Sequence, residues 1–316
     1  MVVLAALLDR RQVLPALRQA EWRLLLPALL CTALSYAGSS AGFAIINRAF
    51  GLALPASRLA LVGFVNMAAN NLITLGGAAG YSVSVVLLKN PETRHRTILA
   101  ASLFNSWLYF IFGTSLLPLS LLYLLLRHRL TPGVQTGLWV VTAGALVLAI
   151  LVNLAVFRPG VRGRLLAFLA RLLMRLFRRD LAGTFARFND AFSQGVTALR
   201  AAPGRVAALG LALVGDWAFC LAALWFALAA LGIRLSPGVL VSGFIVSIAA
   251  GAASMIPGGL GIQEGSLAGI YALLGAPITH AALGAVLFRA VYYLLPFAIG
   301  LIIYWRALRI RARHGS

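Results

Sequence analysis

The sequence predicts an all-α, polytopic membrane protein: a single domain, residues 1–316, with seven or eight transmembrane helices. Hydrophobic residues make up 61% of the 316 positions and charged residues 11%. The mean hydropathy is +0.94, far above the values of soluble chains. Several apolar runs reach the roughly 20 residues that cross a bilayer. Glycine-rich breaks interrupt the apolar pattern twice, which predicts two short helices within the bundle.

The apolar runs give the predicted elements in chain order. Seven long runs are predicted as spans: 24–46, 59–77, 97–126, 136–157, 206–232, 237–256 and 279–305. Two shorter runs, 80–88 and 263–275, follow the glycine-rich breaks and are short for a complete crossing, a length that is compatible with re-entrant helices. Run 263–275 is alternatively an eighth, short crossing.

Arginine placement orients the predicted bundle, because loops on the cytoplasmic side are enriched in Lys and Arg. Segments 1–23, 89–96 and 158–205 hold four, three and ten such residues. The intervening segments 47–58, 127–135 and 233–236 hold two, two and one. We therefore expect a cytoplasmic N-terminus. The four arginines after residue 305 lie on the cytoplasmic side only if the chain crosses the membrane eight times. Eight crossings are therefore favoured.

The basic composition, with 27 Lys and Arg against seven Asp and Glu, is explained by these membrane-facing loops. Nucleic acid is therefore not an expected partner. Within the connector 127–205, the arginines of segment 161–179 fall on one face of a helix. This pattern is typical of a basic amphipathic helix on an anionic leaflet.

The two ends of the chain resemble each other, which predicts half-repeats at 24–126 and 206–305. Each half contains a glycine-rich break, at 75–80 and 257–261, then a short apolar helix and a long one. Broken helices at matching positions are typical of transporters with a binding site near the membrane midplane. The alternative is coincidence between helices of similar composition.

Three charged residues lie inside predicted spans: Asp216, Glu264 and Arg289. Because a charge facing lipid costs roughly 2.5–3.5 kcal/mol or more, we expect all three to face the interior. Arg289 can pair with one carboxylate, and the other then needs a proton, water or substrate. These charges are substrate-path candidates, and the alternative is an ion pair that only fixes helix packing.

Polar and backbone positions complete the predicted path. Asn70 and Asn71 lie on the second span, immediately before the first glycine-rich break, where they line a headgroup path or hydrogen-bond to neighbouring helices. The remaining candidates are Tyr292 and the backbone of Pro257, Gly258, Gly259 and Gly261. No P-loop or metal-ligand spacing occurs in the sequence, so neither a cofactor nor an enzymatic activity is predicted. Glycines at four-residue spacing permit a homodimer.

Residues 254–264, Ser-Met-Ile-Pro-Gly-Gly-Leu-Gly-Ile-Gln-Glu, resemble the signature of the lysylphosphatidylglycerol synthase transmembrane (flippase-like) family. Residues 288–289 and 292–296 near the C-terminus, and 70–77 in the first half, are also similar to it. Fusion members of that family join a lipid-translocating membrane domain to a soluble aminoacyl-transferase domain. Because this chain ends at Ser316, we expect the flippase-like part alone.

The resemblance implies a flippase or scramblase that moves a phospholipid, of anionic class, or a lipid-linked headgroup across the bacterial inner membrane. Arg289 would contact the phosphate, and Glu264 would position Arg289 or carry a proton. One alternative is a non-transporting scaffold, which a tight, dry interior around Glu264 would indicate. The other is an enzyme acting on lipid-linked substrates.

Overall fold

The computed structural model describes residues 10–73, 78–88, 95–127, 132–177, 182–254 and 256–314, and every regular element in these ranges is helical. The predicted all-α, polytopic membrane fold is confirmed. In the described ranges, four helices are long and apolar enough to cross a membrane: Trp22–Ala49, Thr97–Tyr123, Pro203–Ala229 and Ile278–Arg309. The α-helices are α1 (Arg10–Arg18), α2 (Leu25–Ala49), α3 (Ala56–Leu72), α4 (Ala78–Leu88), α5 (His95–Arg127), α6 (Pro132–Phe157), α7 (Pro159–Phe177), α8 (Ala182–Arg200), α9 (Pro203–Ala229), α10 (Pro237–Ala253), α11 (Ile262–Leu273), α12 (Ile278–Arg289) and α13 (Leu295–His314).

Helices α3 and α4 form an antiparallel hairpin, called here the first hairpin. The Asn66 side chain on α3 donates to the Gly80 carbonyl on α4 at 2.7 Å. At the other end of the pair, the Arg58 guanidinium lies 3.5 Å from the Leu87 carbonyl. The start of α3 and the end of α4 are therefore neighbours. The first predicted glycine break, with Gly76 and Gly77, falls mainly within 74–77, outside the described residues.

Helices α10 and α11 form the second hairpin in the same way. The Tyr271 hydroxyl near the end of α11 donates to the Leu240 carbonyl near the start of α10, at 2.8 Å. The tip of this hairpin is a 3₁₀ turn, Pro257–Gly259. The two hairpins have similar arms: 17 and 11 residues in the first, 17 and 12 in the second.

After the second hairpin the chain continues as one helical rod, α12 to α13, with a π-helical segment at Ala290–Leu294. The π segment has a local cause. Pro296 has no N–H to donate to the Tyr292 carbonyl four residues earlier. That carbonyl instead accepts a hydrogen bond from the Tyr36 hydroxyl at 3.1 Å. The rod is thus tied to α2 at the point where its own hydrogen-bond ladder is interrupted.

The series α2–α5 and the series α9–α13 are inverted relative to each other. Helices α2 and α9 are antiparallel, because Gly38 packs against Ala212 and Asp216 and the Glu21 N–H donates to the Ala230 carbonyl at 2.8 Å. The absence of a side chain at Gly38 permits this close approach, since a Cβ there would lie 3.0 Å from the Ala212 carbonyl oxygen.

The bundle has two ends, named for Glu21 and Phe50. Helix α5 starts at the Phe50 end, where Phe104 contacts Phe50 at 5.4 Å between ring centroids. It finishes at the Glu21 end, where Tyr123 lies against Gly238 at the start of α10. The rod α12–α13 runs back to the Phe50 end, where Ile303, Tyr304 and Ala307 join the core cluster that contains Phe50. The first hairpin consequently opens at the Phe50 end and the second at the Glu21 end.

Helices α7 and α8 pack at the Phe50 end. Buried Arg162 on α7 donates to Asn189 on α8 at 2.6 Å, and its guanidinium lies 4.7 Å from the Phe192 ring centroid. Phe192 in turn contacts Phe50.

The arginine pattern placed residues 1–23 and 158–205 on the same face, and the structure corrects this prediction. Helix α1 and Glu21 lie at the opposite end of the bundle from α7 and α8. The prediction treated run 59–77 as a complete crossing, whereas its described part, within α3, is the first arm of a hairpin with α4. The segments up to 158–205 therefore lie on the opposite side from the one predicted.

Candidate functional site

The centre of the bundle contains a buried carboxylate held by hydroxyl groups. Asp216 on α9 is 2% exposed and accepts hydrogen bonds from Ser35 on α2 and from the Tyr109 hydroxyl on α5 at 2.7 Å. The Tyr292 hydroxyl lies 2.7 Å from the Ser35 oxygen. Because Ser35 gives its proton to Asp216, Tyr292 is the donor in that contact. Hydroxyl donors from α2 and α5 thus compensate the loss of water around Asp216, and Tyr292 supports the Ser35 donor.

Arg289 is paired with Glu264 rather than with Asp216. The guanidinium at the end of α12 contacts the Glu264 carboxylate and donates to the Gly258 carbonyl. Glu264 also accepts the Gly261 N–H at 2.6 Å, at the N-terminus of α11, where the helix dipole favours a negative charge. Both charged side chains are buried, with exposures of 8% and 5%. This group of contacts, the ion-pair cluster, fastens the tip of the second hairpin to α12.

Glycines at the second tip allow the two hairpins to meet. Gly258 has a φ of 67°, in the left-handed region that favours glycine. A Cβ at Gly258 would collide with the Leu72 carbonyl oxygen at the end of α3. Pro257 begins the turn, and Gly259 and Gly261 also have positive φ. The tip of the second hairpin therefore sits directly against the end of the first arm of the first hairpin.

The asparagines of α3 divide into two roles. Asn70 accepts the Gly80 N–H at 2.8 Å and donates to Asn66 at 3.0 Å, so this pair holds α4 against α3. Asn71 instead donates to the Tyr36 hydroxyl at 3.2 Å. That hydroxyl is the one bonded to the Tyr292 carbonyl. Asn71 is therefore connected to the π segment of the second series.

Two adjoining cavities form what we call the polar cleft. The outer compartment has a volume of about 480 Å³ and is lined by Ser39, Phe43, Gly63, Asn66, Met67, Asn70, Asn71, Leu103, Asn105, Ser106, Trp107, Tyr109 and Phe110. The inner compartment has a volume of about 90 Å³ and is lined by Met67, Asn71, Tyr109, Asp216, Trp217, Cys220, Phe244, Ile248, Tyr292 and Tyr293. Both include Met67, Asn71 and Tyr109, so the cleft extends from the α3–α5 interface to Asp216. Leu103 and Phe110 at the outer compartment are 41% and 49% exposed.

The structure separates the predicted site residues into two groups. Those that line the polar cleft are Asn70, Asn71, Asp216 and Tyr292. Those that belong to the second tip and its ion-pair cluster, and line neither compartment, are Pro257, Gly258, Gly259, Gly261, Glu264 and Arg289. Tyr293 connects the groups: it lines the inner compartment, accepts a hydrogen bond from Gln263 at 3.2 Å and lies under the Arg289 guanidinium.

Sequence reasoning did not assign site roles to Asn105, Ser106, Tyr109 and Trp217. Asn105 and Tyr109 are four residues apart on α5, a spacing that places them on one helix face. Two polar residues at that spacing, inside an otherwise apolar run, are the signal from which Asn105 and Tyr109 could have been predicted as site residues. Ser35 and Asp216 are 181 positions apart in the chain, and no local pattern links them.

Comparisons with known proteins found a family model and a relative that are similar to this chain. A family model described as the lysylphosphatidylglycerol synthase TM region matches residues 1–300. A relative named UPF0104 membrane protein, from Methanothermobacter thermautotrophicus, is 27% identical over 262 residues. The alignment covers 78% of this chain and 72% of the relative.

Proposed function

Because the chain belongs to the lysylphosphatidylglycerol synthase TM-region family, we propose that it moves the polar headgroup of a membrane lipid across the bilayer, as a flippase or scramblase. The observation that carries the proposal is the polar cleft, which reaches buried Asp216 in the middle of an apolar bundle. Polar groups inside a membrane protein mark substrate pathways. The acyl chains would remain in lipid while the headgroup passes through the cleft.

The two hairpins are re-entrant in this proposal and enter the membrane from opposite faces. An arm of 17 residues is about 25 Å long, less than the roughly 30 Å of the hydrocarbon core. Broken backbone is tolerated at membrane depth where protein covers it, and the second tip is covered by Leu72 and Arg289. Complete crossings are then made by α2, α5, α6, α9 and the rod α12–α13.

The Phe50 end is the cytoplasmic face in this arrangement. Its segments 47–58, 89–96, 158–205 and 306–316 hold 19 Lys and Arg residues, and the segments 1–23, 127–135 and 233–236 of the Glu21 end hold seven. The positive-inside rule supports this assignment, which brings the C-terminal arginines to the same face as α7 and α8. It reverses the cytoplasmic N-terminus that we expected from the sequence.

The position of the cleft supports passage of a headgroup. The outer compartment lies between α2, α3 and α5 on the Phe50 side of Asp216, and its mouth would open toward lipid beside exposed Leu103 and Phe110. The second hairpin blocks the Glu21 side, where the ion-pair cluster holds its tip to α12. Translocation therefore requires movement of the second hairpin. Arg289 would meet a lipid phosphate only when that hairpin opens.

The scaffold alternative is supported by one observation. Glu264 is enclosed by Arg289 and the Gly261 N–H, as a structural ion pair would be. A scaffold function does not account for the cleft, where amide and hydroxyl groups surround open volume.

The test is reconstitution of the purified full chain into liposomes that contain trace lipids labelled on an acyl chain. An impermeant reductant then bleaches label in the outer leaflet. We expect bleaching well beyond the outer leaflet's half in vesicles that contain the protein. Bleaching that stops at half for every lipid tested, with the protein folded and inserted, would favour the scaffold alternative.

A further inference from the structure

We infer that the polar cleft binds an uncharged, polyhydroxylated headgroup, the sugar of a glycolipid, rather than a phosphate or an amine. This inference rests on the proposed lipid translocation and specifies its substrate class. A sugar headgroup differs from the anionic phospholipid that was expected from the sequence. The inference is based on the chemistry of the side chains that line the cleft.

The lining offers groups that both donate and accept hydrogen bonds. Asn71, Asn105, Ser106 and Tyr109 contribute amide or hydroxyl groups to the outer compartment. Sugar hydroxyls also donate and accept, and amides and hydroxyls match them in both directions. The Asn105 side chain makes no hydrogen bond to any described residue, and the Asn71 amide uses only its nitrogen. Both therefore retain capacity for a ligand.

The described lining of the cleft lacks the groups that recognise phosphate. No Lys, Arg or His occurs among the described lining residues of either compartment. Phosphate sites use Arg or Lys, often in bidentate contacts. Arg289, the charged side chain at the second tip, is engaged by Glu264 and the Gly258 carbonyl.

Asp216 does not by itself make an amine site. Its two oxygens already accept hydrogen bonds from Ser35 and Tyr109. An ammonium group that bound there would have to share these oxygens with the two hydroxyl donors that already stabilise the carboxylate. A sugar hydroxyl, in contrast, can join the existing network through the Tyr109 oxygen without a change of charge.

Aromatic side chains complete the match to a sugar ring. Trp107, Tyr109 and Phe110 line the outer compartment, and Trp217 lines the inner one. Aromatic rings in the lining of a cavity can provide apolar contact for the C–H face of a sugar ring. The Trp217 indole N–H is buried without a hydrogen-bond partner among the described residues, so it has a donor to offer. The outer volume of about 480 Å³ lies within the range of about 300–1,000 Å³ typical of small-molecule sites.

The experiment compares three lipids with identical labelled acyl chains in the same proteoliposomes: a hexosyl-diacylglycerol, a phosphatidylethanolamine and a phosphatidylglycerol. We expect the hexosyl lipid to move fastest. Replacing Asn105 by Leu should slow that lipid about five- to tenfold, as expected for loss of one well-placed hydrogen bond. Asn153→Leu is the matched control, because Asn153 bonds to a carbonyl of its own helix and lines neither compartment.

The variant Asn105→Asp separates recognition from folding. A carboxylate at this position should shift the preference toward phosphatidylethanolamine, whereas a misfolded protein would lose all three activities. Faster movement of either phospholipid than of the hexosyl lipid by the wild type overturns the sugar assignment and leaves lipid translocation standing. If none of the three lipids moves, both the sugar assignment and the proposed lipid translocation are overturned. An unchanged hexosyl rate in Asn105→Leu overturns the assignment of the binding site to this cleft.

Discussion

The two hairpins share a backbone plan and differ in what occupies their tips. In the first hairpin, amide side chains hold the arms together and face the polar cleft, with Asn66 and Asn70 bonded to Gly80. In the second, the ion pair between Arg289 and Glu264 closes the tip against α12. Open volume adjoins the amides of the first hairpin, whereas the ion pair lines neither compartment of the cleft. In the proposed translocation, the first hairpin would form the binding surface and the second hairpin the closure.

The orientation of the hairpins gives an all-or-none prediction. Ser57 and Ser236 are exposed residues at the starts of the first and second hairpins. With Cys31 and Cys220 replaced by serine, we expect an impermeant maleimide to label Ser236→Cys in intact cells and Ser57→Cys only after permeabilisation. The seven- or eight-crossing topology places both residues outside. Labelling of both cysteine variants in intact cells would therefore rule out the re-entrant arrangement.

The second tip should depend on the pairing of its charges. Glu264→Leu leaves Arg289 buried and unpaired, so we expect a loss of about 3–5 kcal/mol in the free energy of unfolding. The double replacement Glu264→Leu with Arg289→Leu should recover most of that loss, because no unpaired charge remains. Denaturant unfolding of the two variants in one detergent measures the difference. If the double variant transports lipid at the wild-type rate, the ion-pair cluster is purely structural. If it transports lipid faster than the wild type, the ion pair is the closure.

The close approach of the two tips should be sensitive to a single methyl group. Gly258→Ala forces a left-handed backbone on alanine and drives its Cβ into the Leu72 carbonyl, so we expect a loss of about 1–3 kcal/mol in the free energy of unfolding. Gly269→Ala on α11 is the control, since open space surrounds that position and alanine favours the helix. Equal unfolding midpoints for the two variants would argue against contact between the tips.

The first hairpin should show a smaller and local effect. Asn70→Ala removes the acceptor of the Gly80 N–H, which we expect to cost about 1–3 kcal/mol at most, and less where water reaches the cleft. Hydrogen exchange at the Gly80 amide should accelerate, while exchange in the second hairpin stays unchanged. Uniform acceleration in both hairpins would instead indicate a global loss of stability.

The sequence predicted the fold class, the glycine-rich break at the second tip and the burial of three charged residues. It did not predict the hairpins, because a 17-residue apolar arm has the hydropathy of a short crossing and only tertiary contacts such as Asn66 to Gly80 distinguish the two. The partners of Asp216 were missed for a similar reason: Ser35 and Tyr109 lie on remote helices. Arg289 was expected to serve one carboxylate, and only the structure shows that it is Glu264.

Many of the side chains that the structure describes on helix α6 are exposed, among them Val140, Leu151 and Leu154. Its importance lies in the number of times the chain crosses the bundle. The first series traverses the bundle twice, through α2 and α5, and so returns the chain to the Glu21 end. A second copy that started there would run in the same sense as the first. One additional traverse by α6 delivers the chain to the Phe50 end, and α9 can then run opposite to α2. Many substitutions on the surface of α6 should be tolerated, but its deletion would turn an inverted pair into a parallel one.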